Sequence, residues 1–170
     1  AEAVRDSLLE VCGSLKHEIG GRPILVARNP GGGIVLGKEL SNPSNSVVHT
    51  VVPWGEAANR RSIYVQALRE RPLTVLQTFD LPQMTPNCNQ RAVTTVAPQS
   101  LMMLNDQFVV EQSTLMAERL FRERPASDRE RITRLWQLCF SDEPSSDELQ
   151  EASQLLSDQR RHLAARDPME

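Results

Sequence analysis

Two copies of one short pattern constrain this chain more than any other feature. Ser127-x-x-Glu130 and Ser145-x-x-Glu148 each place a hydroxyl three residues before a carboxylate, the reciprocal arrangement that satisfies free N–H groups where a helix begins. Apolar residues follow each at spacings of three and four. They are Ile132, Leu135, Trp136 and Cys139 after the first, and Leu149, Ala152, Leu155, Leu156 and Leu163 after the second. That period buries one face of a helix. Upstream, Asn105 or Asp106 can cap a helix that reaches Arg124 and stops at Pro125, with Phe108, Leu115, Met116, Leu120 and Phe121 on its apolar face. Pro98 suits the first turn of "PQSLMMLN", and Pro72 that of "PLTVLQTFD", which ends near Asp80. The C-terminal half is a set of amphipathic helices joined by short polar turns.

The N-terminal half is more mixed. Val4, Leu8, Val11, Cys12 and Leu15 recur at helical spacing, so the pattern predicts a helix over residues 1–17 with Gly20-Gly21 as its stop. Ile24 to Ala27 form a short β-like run, and residues 28–60 read as loop with two short strands. Alternating residues in Arg60–Leu68 predict a strand or extended segment. The expected class is mainly α, with a small extended or β portion in the N-terminal half. Residues 1–170 are expected to form a single domain: a helix plus loop-rich part (1–60), a central part (61–106) and a helical C-terminal part (107–170).

Aromatic residues make up only 4% of the 170, so the core must rest on Leu, Val, Ile, Met and Ala. The 39% apolar and 24% charged content fits a globular chain. A formal charge of −3 is not that of a nucleic-acid binder, which carries a basic face. No run approaches the ~18 apolar residues of a membrane span. The chain begins at Ala1 and enters a helical pattern at once, without a leader, and it reads as a fragment of a longer protein.

Familiar chemical motifs fail one by one. Gly32, Gly37 and Lys38 have the spacing of a phosphate-binding loop, but Glu39 replaces the Ser or Thr, and "LSNPSN" cannot open the helix that would hold the phosphate. His17, His49 and His162 lie in separate segments without metal-ligand spacing. Cys12, Cys88 and Cys139 lack any C-x-x-C pattern; Cys12 and Cys139 read as buried small hydrophobes, and Cys88 as a partly exposed thiol or half of a disulfide. No nucleophile elbow is present, the acidic residues after Asp128 occupy capping and helix-surface positions, and no catalytic motif is identified.

What remains is the stretch "TFDLPQMTPNCNQRAVTTVAPQSLMMLND", Thr78 to Asp106. It is a polar, proline-bearing loop set against helices, and such loops carry binding sites. With Arg61 ahead of it, Asp80, Arg91, Gln99 and Asn105 are the candidate binding residues. A second reading explains the same side chains structurally. Asp80 and Asn105 cap helices, Thr94 or Thr95 satisfies backbone donors, and Arg91 covers carbonyls or pairs with Asp80.

"RRSIYV", "TFDLP" and "CNQRAVTTVAPQSLMMLND" together resemble the domain of unknown function 1553, a planctomycete-specific domain family. Its blocks map onto Arg60 to Tyr64, Phe79 to Pro82, Cys88 and Arg91, Thr94 and Thr95, Pro98 to Leu101, and Leu104 to Asp106. The first helix and the region around "FSDEPSSDEL" also resemble the family, so nearly the whole chain is covered. Gln107, where members often carry Pro, and Ala97, in a loop where polar residues are usual, depart from the pattern. The resemblance implies the C-terminal part of a large exported multidomain protein, with an extracytoplasmic location and neighbouring domains as partners. Many members carry a cytochrome-c-like haem domain. Because C-x-x-C-H does not occur here, any haem would belong to another portion, and no cofactor is expected in this segment. Two functions are compatible with all this: a structural or interaction module, or a binding or catalytic contribution to polysaccharide or redox chemistry through a polar pocket around residues 61–106.

Overall fold

The computed structural model describes residues 1–40, 50–82, 96–124 and 126–166. Six α-helices and four short strands are found among them: α1 (Glu2–Val11), β1 (Val26–Arg28), β2 (Ile34–Leu36), β3 (Lys38–Leu40), β4 (Thr50–Val52), α2 (Thr74–Thr78), α3 (Ala97–Asn105), α4 (Gln107–Glu123), α5 (Asp128–Phe140) and α6 (Ser146–Arg166). The class is mainly α, with its strands confined to the N-terminal half. The chain divides into two compact units, Ala1–Leu115 and Met116–Glu170, and α4 runs from the first into the second.

In the first unit the helix expected over residues 1–17 stops at Val11. Gly13 takes a left-handed φ of 73°, and the N–H groups of Gly13 and Ser14 return to the carbonyls of Glu10 and Leu9. The chain then turns extended, and the Lys16 N–H bonds to the Asn59 carbonyl at 2.9 Å. Gly20-Gly21 is therefore no helix stop. The strands form two antiparallel hairpins, β1 with β2 and β3 with β4, registered Ala27 opposite Val35 and Glu39 opposite Val51. Among the described residues three strands, not two, thus lie within the expected loop region 28–60, and β1 ends at its border. Gly37 connects the hairpins, and Lys38 opens β3 opposite Val52. A Cβ on Gly37 would lie 2.3 Å from Val51 Cγ1, so close approach of two strands explains this glycine without a phosphate. Glu39, the misfit in the phosphate-loop pattern, accepts from the Arg28 N–H at 3.0 Å and from Arg71 at 3.2 Å.

Arg60–Leu68 is not a strand throughout. Ser62–Tyr64 winds into a 3₁₀ turn because the Ser62 N–H is taken by the Asp6 carboxylate and not by a neighbouring strand. Extension resumes at Val65, which bridges Ile24. Val26, Ile34, Leu73, Val75 and Leu76 form the buried centre, with Leu68, Phe79, Leu81, Met102 and Phe108 packed against it. Five small aliphatic side chains thus do what aromatic residues do elsewhere.

In the second unit the two predicted helix starts appear as expected. Ser127 Oγ accepts from the Glu130 N–H at 3.2 Å; Ser145 Oγ accepts from the Glu148 N–H at 3.3 Å while Glu148 accepts from the Ser145 N–H at 2.8 Å. Ile132 and Leu149 are buried. Leu155 and Leu163, expected inside, are 62% and 64% exposed. Leu163 lies beyond Arg160, which pairs with Asp128 at the very start of α5, so α5 does not reach it, whereas Leu155 lies within that span on the solvent side of the half-buried Leu156. Cys139 and Phe140, in the last turn of α5, are exposed as well, which corrects the reading of Cys139 as buried, whereas Cys12 is buried as expected. Phe121, another expected core residue, is 55% exposed and lies beneath the Arg131 guanidinium, 4.4 Å from its ring centroid. Cys88 lies outside the described residues.

Candidate functional site

The described residues with buried polar side chains are Arg5, Arg60, Ser62, Gln99 and Gln112, and the first three meet at one place. Arg5, on α1, is only 1% exposed. Its guanidinium donates to the Arg60 carbonyl at 3.0 Å, the Ser62 hydroxyl at 3.1 Å and the Ala58 carbonyl at 2.7 Å, and it lies 5.7 Å from the Phe108 ring centroid. Burial pushes its pKa down to about 10, against the opposing pull of Asp6. It stays charged at neutral pH, and three acceptors supply what water would have given.

Asp6, one residue along, accepts from both the N–H and the hydroxyl of Ser62. The next layer is Arg60. It donates to the carbonyls of Arg22 and Gly20 and lies 4.1 Å over the Tyr64 ring, while the Tyr64 hydroxyl accepts from the Gly20 N–H at 3.0 Å. Gly20 and Gly21, at φ 81° and 88°, take consecutive left-handed conformations that glycine alone adopts cheaply. They aim the Gly20 carbonyl and N–H at Arg60 and Tyr64. The Arg60-Arg61-Ser62 block is thus a staple tying α1, the Gly-Gly turn and residues 58–64 together. Arg5 and Asp6 are its other half, which the sequence reading missed because charged residues on a helix ordinarily face water.

Beside the staple lies an open groove of about 820 Å³, floored by the buried Leu73 and Leu76 and walled by α1 and residues 61–68. Of the five candidate residues, Arg61 lines it. Its side chain is 63% exposed, with Nε 3.6 Å from Asp6 Oδ2. The other described candidates are not among its lining. Gln99, buried, donates from Nε2 to the Thr78 carbonyl at 3.1 Å and accepts from the Val96 N–H at 3.4 Å, which fixes the start of α3 to the end of α2. Val96 has no side-chain oxygen to return the bond. Asn105 is exposed and donates to the Leu101 carbonyl at 2.9 Å, and the neighbouring Asp106 caps α4 by accepting from the Phe108 N–H at 2.9 Å. Asp80 takes a left-handed φ of 61° at the end of α2. Arg91, with Thr94 and Thr95, lies outside the described residues, as does His49.

Charged clusters in the second unit are intrahelical or between adjacent helices. Glu123 is held by Arg119 at 2.6 Å and Arg134 at 2.7 Å, and hydrogen bonds from both push its pKa down to about 2. Asp128 is held by Arg160 and Arg131, which lower its pKa in the same way. Among the described residues, no group of three or more His, Cys, Asp or Glu side chains is placed to hold a metal ion, and no helix is long and apolar enough to cross a membrane.

No curated protein and no solved structure matches the chain. A family model does match, over residues 1–156, a span that holds the Arg60–Ser62 staple, the Gln99 tie and the serine caps at Ser127 and Ser145. The chain accordingly belongs to the PSD1 family, described as proteins of unknown function (DUF1553).

Proposed function

We propose that this chain is a structural and interaction module of an exported, extracytoplasmic multidomain protein, packing against neighbouring domains of the same polypeptide. One observation carries the reading: Arg60, Ser62, Gln99 and Asp106, polar residues in or beside the family blocks, bond to this chain's own backbone and side chains. Side chains so engaged build a scaffold and leave few donors for a small polar ligand. Any haem would sit in another portion of the polypeptide.

The second reading, a contribution to polysaccharide or redox chemistry through a polar pocket, is favoured by Arg61 alone among the described candidates, since it borders the groove. Mixing this chain with the separately produced remainder of its natural polypeptide tests the first reading. Size-exclusion chromatography is expected to show a stoichiometric complex. Absence of a complex, together with saturable binding of an oligosaccharide weakened by Arg61→Ala, would instead establish the second.

A further inference from the structure

Along α6 one stripe is left uncovered. Glu148, Ala152, Leu155, Gln159, Leu163 and Arg166 follow one another at steps of four, three, four, four and three, which sets them along one side of the helix. Ala152 is half-buried at the edge of the stripe, and the other five are exposed. Its charges are sorted. Acid stands before Leu155 and base after Leu163, and Glu151 adds to the acidic end. Among the described residues neither Glu151 nor Arg166 has an ion-pair partner. Glu148 accepts from the N–H and the hydroxyl of Ser145, neutral groups that leave its negative charge in place. Arg160 and Arg161 lie off the stripe and are paired with Asp128 and Asp158.

We propose that two copies of this chain pair through this stripe, α6 against α6 in antiparallel sense. Pairing centred on residues 155–159 sets Glu148 and Glu151 of each copy beside Arg166 of the other. It also sets Leu155 opposite Gln159 and Leu163 against Ala152, one patch serving both copies. Both ends attract, and the middle takes two exposed leucines out of water. Parallel pairing would set acid on acid and arginine on arginine. The helix dipole accounts for less of the pattern. It favours acid in the first turn and base in the last, but Glu151 lies in the second turn, and the dipole asks nothing of Leu155 and Leu163, 62% and 64% exposed. The seam from 148 to 166 is about 27 Å long and one helix wide, about 10–12 Å. That falls well short of the about 800 Å² per partner of a stable interface, so the pair is a weak one with a Kd of about 0.1 mM. Self-pairing stands apart from the module reading above.

Sedimentation velocity of the chain between about 10 μM and 1 mM is expected to show a monomer–dimer equilibrium. Glu151→Lys and Arg166→Glu, both at exposed positions, are each expected to raise the Kd by about tenfold with the circular dichroism spectrum unchanged. An equimolar mixture of the two is expected to associate more tightly than either alone. Lysine at 151 then meets glutamate at 166, while the other end keeps its native pair. Leu155→Ala is expected to weaken the dimer by a similar factor. A chain that stays monomeric throughout the range would overturn the proposal, as would a mixture no tighter than the separate variants, or a Leu155→Ala dimer as tight as the parent. If the chain stays monomeric and the remainder of its natural polypeptide binds the parent but not Leu155→Ala, a neighbouring domain occupies the stripe: self-pairing falls and the module reading stands.

Discussion

Asp6 Oδ1 accepts two hydrogen bonds from Ser62, one from its backbone N–H at 2.7 Å and one from its hydroxyl at 2.6 Å. The serine oxygen in turn accepts from Arg5 at 3.1 Å. One hydroxyl therefore links an acid and a base on adjacent positions of α1. Ser62→Ala removes that link and leaves buried charge less well satisfied. It is expected to cost about 1–3 kcal/mol, and Arg5→Ala about 3 kcal/mol or more, because the carbonyls of Ala58 and Arg60 lose their donor. Urea denaturation followed by circular dichroism measures both. A Ser62→Ala midpoint equal to that of the parent chain would mean the staple does not hold.

Acid titration probes the second unit. The Glu123 carboxyl, ordinarily near 4.5, is held down to about 2 by Arg119 and Arg134. As pH falls through this window the unfolded chain takes up a proton that the folded chain refuses, so stability drops. It is fully present above about 4.5 and lost towards 2. Asp128, depressed by Arg160 and Arg131, acts with the same sign. Glu123→Gln is expected to flatten the stability-versus-pH curve between these limits, and an unaltered slope would show that the ion pairs are not formed.

Adjacent residues at the α3–α4 junction have different assignments. Asp106 supplies the cap of α4, and Asp106→Ala is expected to cost about 1 kcal/mol. Asn105, exposed, bonds a carbonyl of its own helix, and Asn105→Ala should stay within about 0.5 kcal/mol. Melting temperatures of the two variants decide the assignment, since a reversed order would make Asn105 the cap.

Gly37→Ala tests the close passage of the hairpins. The added methyl would sit 2.3 Å from Val51 Cγ1 and 3.0 Å from the Val52 carbonyl oxygen, so strand displacement costing about 1–3 kcal/mol is expected. Hydrogen exchange should quicken at β3 and β4, and unchanged protection there would refute the contact.

Signals contained within a few residues were readable from the sequence. Ser127, Ser145 and Pro98 start helices as their local patterns require, because a cap needs only the three residues after it. The staple was not readable. Arg5 and its acceptors are 53–57 residues apart, and nothing in the local pattern distinguishes a buried arginine from a solvated one. The helix end at Gly13 was hidden by a second glycine signal at Gly20-Gly21, whose purpose is to receive Arg60. Leu155 and Leu163 have the right spacing for burial, but spacing says neither which side of the stripe the partner helix covers, as at Leu155, nor how far that helix extends, as at Leu163. Of the candidate binding residues, Gln99 and Asn105 bond within the chain, Asn105 to the Leu101 carbonyl and not as the helix cap the second reading made it, a role Asp106 takes, while Arg61 borders the groove.

The bonds from Arg5 to residues 58–62 also bear on the order in which the chain assembles. Closing a loop of some fifty residues costs entropy that a single local contact cannot offset, so α1 is expected to dock after the intervening hairpins have drawn their ends together. A polypeptide shortened to begin beyond Val11 would keep every strand yet have nothing to seal them, and trypsin should digest it far sooner than the intact chain.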